Sequence, residues 1–331
     1  MDNYEFIALG DIVTDAFIRL SKDHATVECN DDGRPCTISM NFGDKLPYDF
    51  VEVVRAVGNS PNASVSAHRL GLKSALITNL GDDQEGQECL NQLKKEGIAQ
   101  DFVTTHKGKK TNYHYVLWYE NERTILIKHE EHEYKMPDIG NKGWLYLSSL
   151  GENSLPFHQE IAEYLKKNPD IKLAFQPGTF QIKLGAEKLK DIYEHTEVFF
   201  CNVEEAMRIL KTDNRDIKTL LESMHKLGPK IAVITDGPKG AYAYKDGKAW
   251  FMPPYPDPKE PYDRTGAGDS FSSTFVSALA LGKEVPEALS WAPINSMSVV
   301  QKVGAQAGLL QQDALLKFLK DAPEDYKVKE I

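Results

Sequence analysis

The stretch Tyr262-Asp263-Arg264-Thr265-Gly266-Ala267-Gly268-Asp269-Ser270-Phe271 sets three small residues and a carboxylate directly before a strongly amphipathic segment. Beyond Asp269 the apolar residues Phe271, Phe275, Ala278 and Leu279 recur at i, i+4, i+7 and i+8, the spacing of one buried helix face, and Gly282 supplies a stop. The glycines therefore sit at a helix N-terminus, where unpaired backbone N–H groups and the positive end of the helix dipole converge. Side chains as small as those of Gly266, Ala267 and Gly268 let an anionic oxygen approach these N–H groups, and a phosphoryl group in transfer is such an anion. Asp269, in the first turn beside this cradle, is placed to take the proton of an attacking hydroxyl. The same letters also read as simple punctuation followed by an acidic helix cap.

Outward from this stretch, strand and helix patterns alternate, with strands at 144–148, 171–175, 198–201 and 230–235 and helices at 156–167 and 185–193. Repeated βα units of this length imply a parallel sheet with right-handed crossovers. The run at 4–9, apolar but for Glu5 and closed by Gly10, suits a buried parallel strand of that sheet. At its end Gly10-Asp11-Ile12-Val13-Thr14-Asp15 carries two carboxylates. Ligands of open α/β sheets bind beyond the carboxyl ends of the strands, so Asp11 or Asp15 is placed to hold ligand hydroxyls; the alternative is that both solvate a loop. The turn Phe175-Gln176-Pro177-Gly178-Thr179 faces the same edge. After the signature helix, 286–302 reads as another helix that Pro293 should kink or divide.

Two regions break the βα rhythm. Residues 17–49 hold short alternating runs at 25–28 and 37–40 around the turn Asn30-Asp31-Asp32-Gly33, and 111–128 holds two more around Glu120-Asn121-Glu122. Paired as one small sheet, they would form a lid that keeps water from a reactive centre. The aromatic residues Tyr113, Tyr115, Trp118 and Tyr119 offer a stacking wall there.

The formal net charge of −10 argues against a nucleic-acid coat, which needs a basic stripe, and no run of about 18 apolar residues is present to span a bilayer. The acidic start lacks the basic region of a secretion signal, so cytoplasmic residence is the expectation. Cys29, Cys36, Cys89 and Cys201 lack metal-ligand spacing and are expected to be reduced, although Cys29 and Cys36 flank a turn and can face each other.

Asp263-Arg264-Thr265-Gly266-Ala267-Gly268-Asp269 resembles the D-T-x-G-A-G-D signature of the ribokinase-like (PfkB) carbohydrate kinases, with Arg264 where that pattern has Thr. Three further segments resemble the family in the same order. Gly58-Asn59-Ser60-Pro61-Asn62 resembles its G-G-x-x-x-N with one intervening position fewer and Asn59 for the second glycine; Asn202-Val203-Glu204-Glu205 matches N-x-x-E; and Thr235-Asp236-Gly237-Pro238-Lys239-Gly240 matches T-x-G-x-x-G. The resemblance covers roughly residues 4–310 and implies an α/β fold, a ribokinase-like three-layer sandwich with a mostly parallel central sheet and a small β lid. It assigns 1–16, 50–110 and 129–331 to the main domain and 17–49 and 111–128 to the lid, which in the family commonly makes the dimer contact.

The activity it implies is transfer of the γ-phosphoryl group of ATP to a hydroxyl of a sugar or sugar derivative. Asp269 would be the base and Gly266, Ala267 and Gly268 the anion hole. Asp15, Gly58, Asn59 and Asn62 would hold the acceptor, and Asn202, Thr235, Gly237 and Gly240 the nucleotide. Glu205 would hold magnesium through water, and Asp263 with Thr265 a potassium ion. Residues 301–306 would close over the adenine. Local patterns leave alternatives: Asn62 as a helix cap, Asn202 with Glu205 as a capping box, and Asp263 as a turn cap paired with Arg264. A nucleoside kinase of the same fold, using the lid aromatics, and a silent ligand-binding relative are the competing functional readings.

Overall fold

The computed structural model describes residues 4–29, 36–120 and 122–331. In chain order its strands are β1 (Phe6–Leu9), β2 (Val13–Leu20), β3 (Thr26–Cys29), β4 (Cys36–Ser39), β5 (Tyr48–Val57), β6 (Ser74–Gly81), β7 (Val103–His106), β8 (Asn112–Tyr119) and β9 (Glu122–Leu126). They continue as β10 (Gly143–Leu147), β11 (Ile171–Phe175), β12 (Thr196–Asn202), β13 (Ile231–Thr235), β14 (Ala241–Lys245), β15 (Lys248–Met252) and β16 (Lys329–Glu330).

Ten strands form the central sheet in the order β16-β15-β14-β13-β12-β11-β10-β1-β6-β7. The run from β13 to β7 is parallel and the last three strands at the other edge are antiparallel. β1 alternates Phe6 and Ala8 into one apolar layer with Ile7 and Leu9 into the other, all four buried, which is why its four residues include no polar position. Helices cover both faces: Asn59–Arg69, Ala267–Ala280 and Val285–Val299 lie on one, and Leu155–Lys167, Val203–Leu210 and Ile217–Lys226 on the other. This is the three-layer α/β sandwich expected. β1 has β6 on one side and β10 on the other, so the chain reverses its direction of growth at β1 and opens a crevice beyond the strand ends.

The helix Ala267–Ala280 departs from the one-faced pattern: ten of its fourteen residues are buried, five of them Ser or Thr. Ser270, Ser273 and Ser277 donate to carbonyls of the preceding turn, and Thr274 Oγ1 accepts from Asn295 at 2.8 Å, so these hydroxyls enter the core with partners. Gly185, at φ +85°, ends the short helix Thr179–Leu184 instead of opening a helix through 193; the next helix begins at Lys190. Pro293 does not divide its helix, which runs unbroken from Val285 to Val299.

The lid differs from expectation in its strands. Its sheet, β5-β2-β8-β9, uses β2 and β5, so residues 13–16 and 50–57, assigned to the main domain by sequence, belong to the lid sheet. The runs at 25–28 and 37–40 instead pair with each other as the separate hairpin β3-β4. Cys29 and Cys36 are cross-strand partners there and form a disulfide, with Cα atoms 4.0 Å apart, which corrects the expectation of reduced thiols; Cys89 and Cys201 are free and buried. The turn at 30–33 and Asn121 lie outside the described residues.

Alternation along β8 buries Asn112, His114, Val116 and Trp118, and turns Tyr113, Tyr115 and Tyr119 to the opposite face, where Tyr115 is half exposed. Three of the four aromatics expected to form a stacking wall therefore face away from the crevice. Trp118 meets Phe17, Val54 and Val303 in a small buried cluster and sits edge-on to Tyr262, 5.1 Å between ring centroids, which seats the lid on the segment leading into the glycine turn.

Candidate active site

Gly266 is the N-cap of the helix Ala267–Ala280 and adopts the left-handed conformation, φ +80°. A Cβ there would also lie 2.3 Å from Ala305 Cβ, so both backbone and space require glycine. The N–H groups of a first helical turn lack intrahelical partners, and here that of Ala267 lies 3.5 Å from the Arg264 carbonyl.

Asp269 is buried in that first turn and accepts three side-chain amide hydrogen bonds. Asn59 Nδ2 reaches Oδ1 at 2.7 Å, Gln176 Nε2 reaches Oδ1 at 3.1 Å and Asn62 Nδ2 reaches Oδ2 at 2.8 Å. The asparagines come from the helix that starts just after Gly58, whose φ of +116° and close approach to the Asp11 carbonyl leave no room for a side chain. Asn62 caps nothing; its amide serves Asp269. Gln176 comes from the turn after β11. Behind it the buried Tyr146 hydroxyl donates to its Oε1, and Ser272 Oγ lies 2.6 Å from the tyrosyl oxygen. Burial, reinforced by the Asp269 charge, pushes the Tyr146 phenol well above its ordinary range, so it acts there as a neutral donor.

The two carboxylates after β1 differ. Asp11 accepts from Tyr134 OH at 2.9 Å and lies 2.9 Å from His129 Nδ1, which occupies both oxygens. Asp15, on β2, has His114 Nδ1 3.4 Å from its Oδ1, a close pairing that is not a hydrogen bond, so that this buried oxygen has no hydrogen-bond partner among the described residues. An orphaned buried carboxylate oxygen calls for a donor such as a ligand hydroxyl, so of the two carboxylates Asp15 is the better fit to a hydroxyl ligand.

Further along the sheet Asn202 and Thr235 are register partners at the ends of β12 and β13. Asn202 and Glu205 form the capping box, each side chain bonding the other's backbone N–H at 2.9 Å. Burial raises the Glu205 carboxyl above the usual carboxylate range, its bond from Asn202 opposing this and the Asp269 charge adding to it. Thr235 leads into a tight turn at Gly237–Lys239, where Asp236 N–H bonds the Gly240 carbonyl at 2.9 Å and Gly240 takes φ +109°.

Asp263 is fully buried. Its Oδ1 accepts from Thr265 N–H and Oγ1 at 2.9 and 2.7 Å, and its Oδ2 from Gly304 N–H at 2.8 Å. Arg264 does not pair with it but turns to Glu122 of β9, 3.6 Å away. Gln306 is buried, and its amide donates to Asn62 Oδ1 at 3.0 Å and to the Ala56 carbonyl at 2.8 Å. Tyr146, His114 and His129 were not singled out from sequence, Gln176 entered only as part of the turn at the ligand edge, and Gln306 only as the end of the segment expected to close over the adenine. For Gln176 a signal existed, a polar residue directly after a strand at the ligand edge; the others depend on contacts between distant segments.

A buried carboxylate in the first turn of a glycine-capped helix, at the strand ends of a three-layer sandwich, defines a ribokinase-fold enzyme. The Arabidopsis thaliana ribokinase solved with ribose and ATP superposes with a TM-score of 0.79 at 19% identity, covering 96% of this chain and 99% of that one. A Methanocaldococcus jannaschii nucleoside kinase gives 0.76 at 21% identity, with 97% and 100% covered. The Bacillus subtilis ribokinase is 26% identical over 269 residues, 79% of this chain and 87% of its own, and an Archaeoglobus fulgidus sugar kinase is 25% identical over 251 residues, 73% and 96%. Residues 49–312 match the pfkB family carbohydrate kinases. The chain belongs to that family and is a kinase.

Proposed function

We propose that the chain moves the γ-phosphoryl group of ATP to a hydroxyl of a sugar or sugar derivative, with Asp269 as general base and the Gly266-Ala267-Gly268 turn as anion hole. The observation that carries this is the buried Asp269 carboxylate, held by three amides in the first turn of a helix whose N-cap admits only glycine. The acceptor oxygen bonds to the γ-phosphorus as its proton passes to Asp269, and the bond to the β–γ bridging oxygen breaks to release ADP. N–H groups at the helix end stabilise the charge on the transferring oxygens, and the lid keeps water from competing as acceptor. Asp15, Gly58, Asn59 and Asn62 hold the acceptor, the orphaned Asp15 oxygen supporting that role. Asn202, Thr235, Gly237 and Gly240 hold the nucleotide, supported by the adjacency of Asn202 and Thr235.

Glu205 fits a magnesium role. Its Oε2 is used by the capping box while Oε1 makes no hydrogen bond among the described residues, and a cation between it and Asp269 would relieve their mutual repulsion. Bound there through water, magnesium would neutralise charge on the phosphates. For potassium the set is narrower, because three donors already occupy Asp263 and leave about one lone pair, with the Thr265 carbonyl and carbonyls near Lys302 and Gly304 as its company. The exposed outer lid face fits a homodimer through the lid, and sedimentation at the mass of one chain, 37.2 kDa, would remove it. Among the described residues no helix is long and apolar enough to cross a membrane. Cytoplasmic residence goes with ATP use, and fractionation of cells expressing the tagged protein would test it.

A coupled ADP-release screen over sugars, sugar phosphates and nucleosides tests the main reading. Release that depends on a sugar is expected. Release with nucleosides alone would move the reading to a nucleoside kinase, which the outward-facing Tyr113, Tyr115 and Tyr119 do not favour. No release with any acceptor would leave a non-catalytic binding relative.

A further inference from the structure

The three amides around Asp269 do not load its oxygens equally. A carboxylate offers about two lone-pair positions on each oxygen. Oδ1 accepts from both Asn59 and Gln176, so its positions are used, whereas Oδ2 accepts from Asn62 alone and keeps one open. Two of the donors are themselves held from behind. Gln176 Oε1 takes the Tyr146 hydroxyl and lies 3.0 Å from Ser272 Oγ, so its amide nitrogen is the end that must meet Asp269. Asn62 Oδ1 takes the Gln306 amide, so its nitrogen also must face the carboxylate. Tyr146, Ser272, Gln306 and Asn62 are all buried, and none can turn to water for a substitute partner.

We infer that Gln176 is a positioning residue that makes Oδ2 the proton-accepting oxygen of Asp269, and that Tyr146 and Ser272 hold it in that duty. The inference rests on Asp269 being the general base of a kinase. With Oδ1 filled, an acceptor hydroxyl can donate only to Oδ2, which fixes the side from which it approaches the phosphorus. Without the Gln176 N–H, Oδ1 opens to a second hydroxyl or to water. The acceptor then has two orientations, of which one is in line, and water gains a base.

The test compares Gln176→Met, which keeps length but removes the donor, and Tyr146→Phe, which removes one hydroxyl behind it. With an acceptor the wild-type protein uses, Gln176→Met should lower kcat by about tenfold to a hundredfold, the range for losing alignment of a base. The KM of both substrates should stay near wild type, and ADP released per acceptor phosphorylated should rise above one. Tyr146→Phe should move the same quantities in the same direction by less, and it carries the test if Gln176→Met shows no cooperative melt. Unchanged kcat and coupling in these variants, or a raised acceptor KM with kcat intact, would overturn the inference. Crystal structures separate it from the kinase reading itself, since they need no turnover: Gln176→Met should show the Asp269 carboxylate rotated or a water on Oδ1. A carboxylate unmoved and Oδ1 unfilled would overturn the positioning role even if no acceptor were ever found.

Discussion

The lid sheet leaves Tyr48, Tyr115, Leu126 and Ile127 half exposed or more, while a few strands away Asp269, Asn62, Gln306 and Tyr146 each keep less than a tenth of their surface open. The contrast is in what each region needs from outside. The strand-edge site holds Asp269 with donors from within the rigid sandwich and leaves Asp15 Oδ1, His114 Nε2 and Glu205 Oε1 without hydrogen-bond partners among the described residues, so what it needs is a ligand. The lid buries Trp118 and Val116 on its inner face and leaves apolar side chains exposed on its outer one. A preorganised base beneath a lightly attached lid fits an enzyme whose chemistry is set by the body and whose access is set by the lid.

The sharpest way to break that contrast is to remove the base. Asp269→Asn should lower kcat at least about a hundredfold, the low end for loss of general-base catalysis, while calorimetric ATP affinity stays near wild type. Normal turnover would mean the amide cage serves structure alone. Next in size, Asp15→Ala should raise the acceptor KM about tenfold to a hundredfold, as for a lost hydrogen bond to a charged group, and leave the ATP KM unchanged. A rise confined to the ATP KM would reverse the site's orientation.

The same contrast decides what could be read from the sequence. The glycine turn, Asp269 and the parallel sheet were legible because a helix start needs glycine locally and buried strands show as short apolar runs in βα rhythm. The pairing of the lid was not: residues 13–16 of β2 and 50–57 of β5 read as parts of the body, and only the pairing of β2 with β5 and β8 shows them to be lid. Gly185 misled for a local reason, since glycine marks either end of a helix, and here it closes Thr179–Leu184 instead of opening the next helix. Gln176, Gln306 and His114 act on Asp269, Asn62 and Asp15, which lie 93, 244 and 99 residues away, by side-chain hydrogen bonds and close pairing that no spacing rule encodes.

A smaller effect concerns stability. Burial raises the Glu205 carboxyl, so the folded state binds that proton more tightly than the unfolded state does. Stability from this group is then lost as pH rises from the ordinary value of 4.5 through the raised one, and the cost is complete above it. Glu205→Gln keeps an oxygen for the Asn202 N–H and removes the charge. Melting curves should place the variant above wild type at pH 8 and level with it below the ordinary carboxylate range, while magnesium-dependent turnover falls. A variant that melts lower at pH 8 would show that the capping box needs the charge.

The smallest expected effect is that of potassium, and the geometry of Asp263 says why. Two N–H groups and one hydroxyl already order the turn that leads into Gly266, so the ion would add to an arrangement that stands largely without it. Arg264 offers no replacement charge, because it is drawn to Glu122 on the lid. Potassium should therefore raise kcat severalfold, well below the hundredfold or more that follows loss of an oxyanion donor, and leave the acceptor KM unchanged, since the turn aligns the anion hole and not the acceptor. Assays in sodium, potassium and tetramethylammonium buffers at matched ionic strength measure this directly. Equal kcat in all three would assign Asp263 wholly to the turn, making the glycine cradle as self-sufficient as the amide cage beside it.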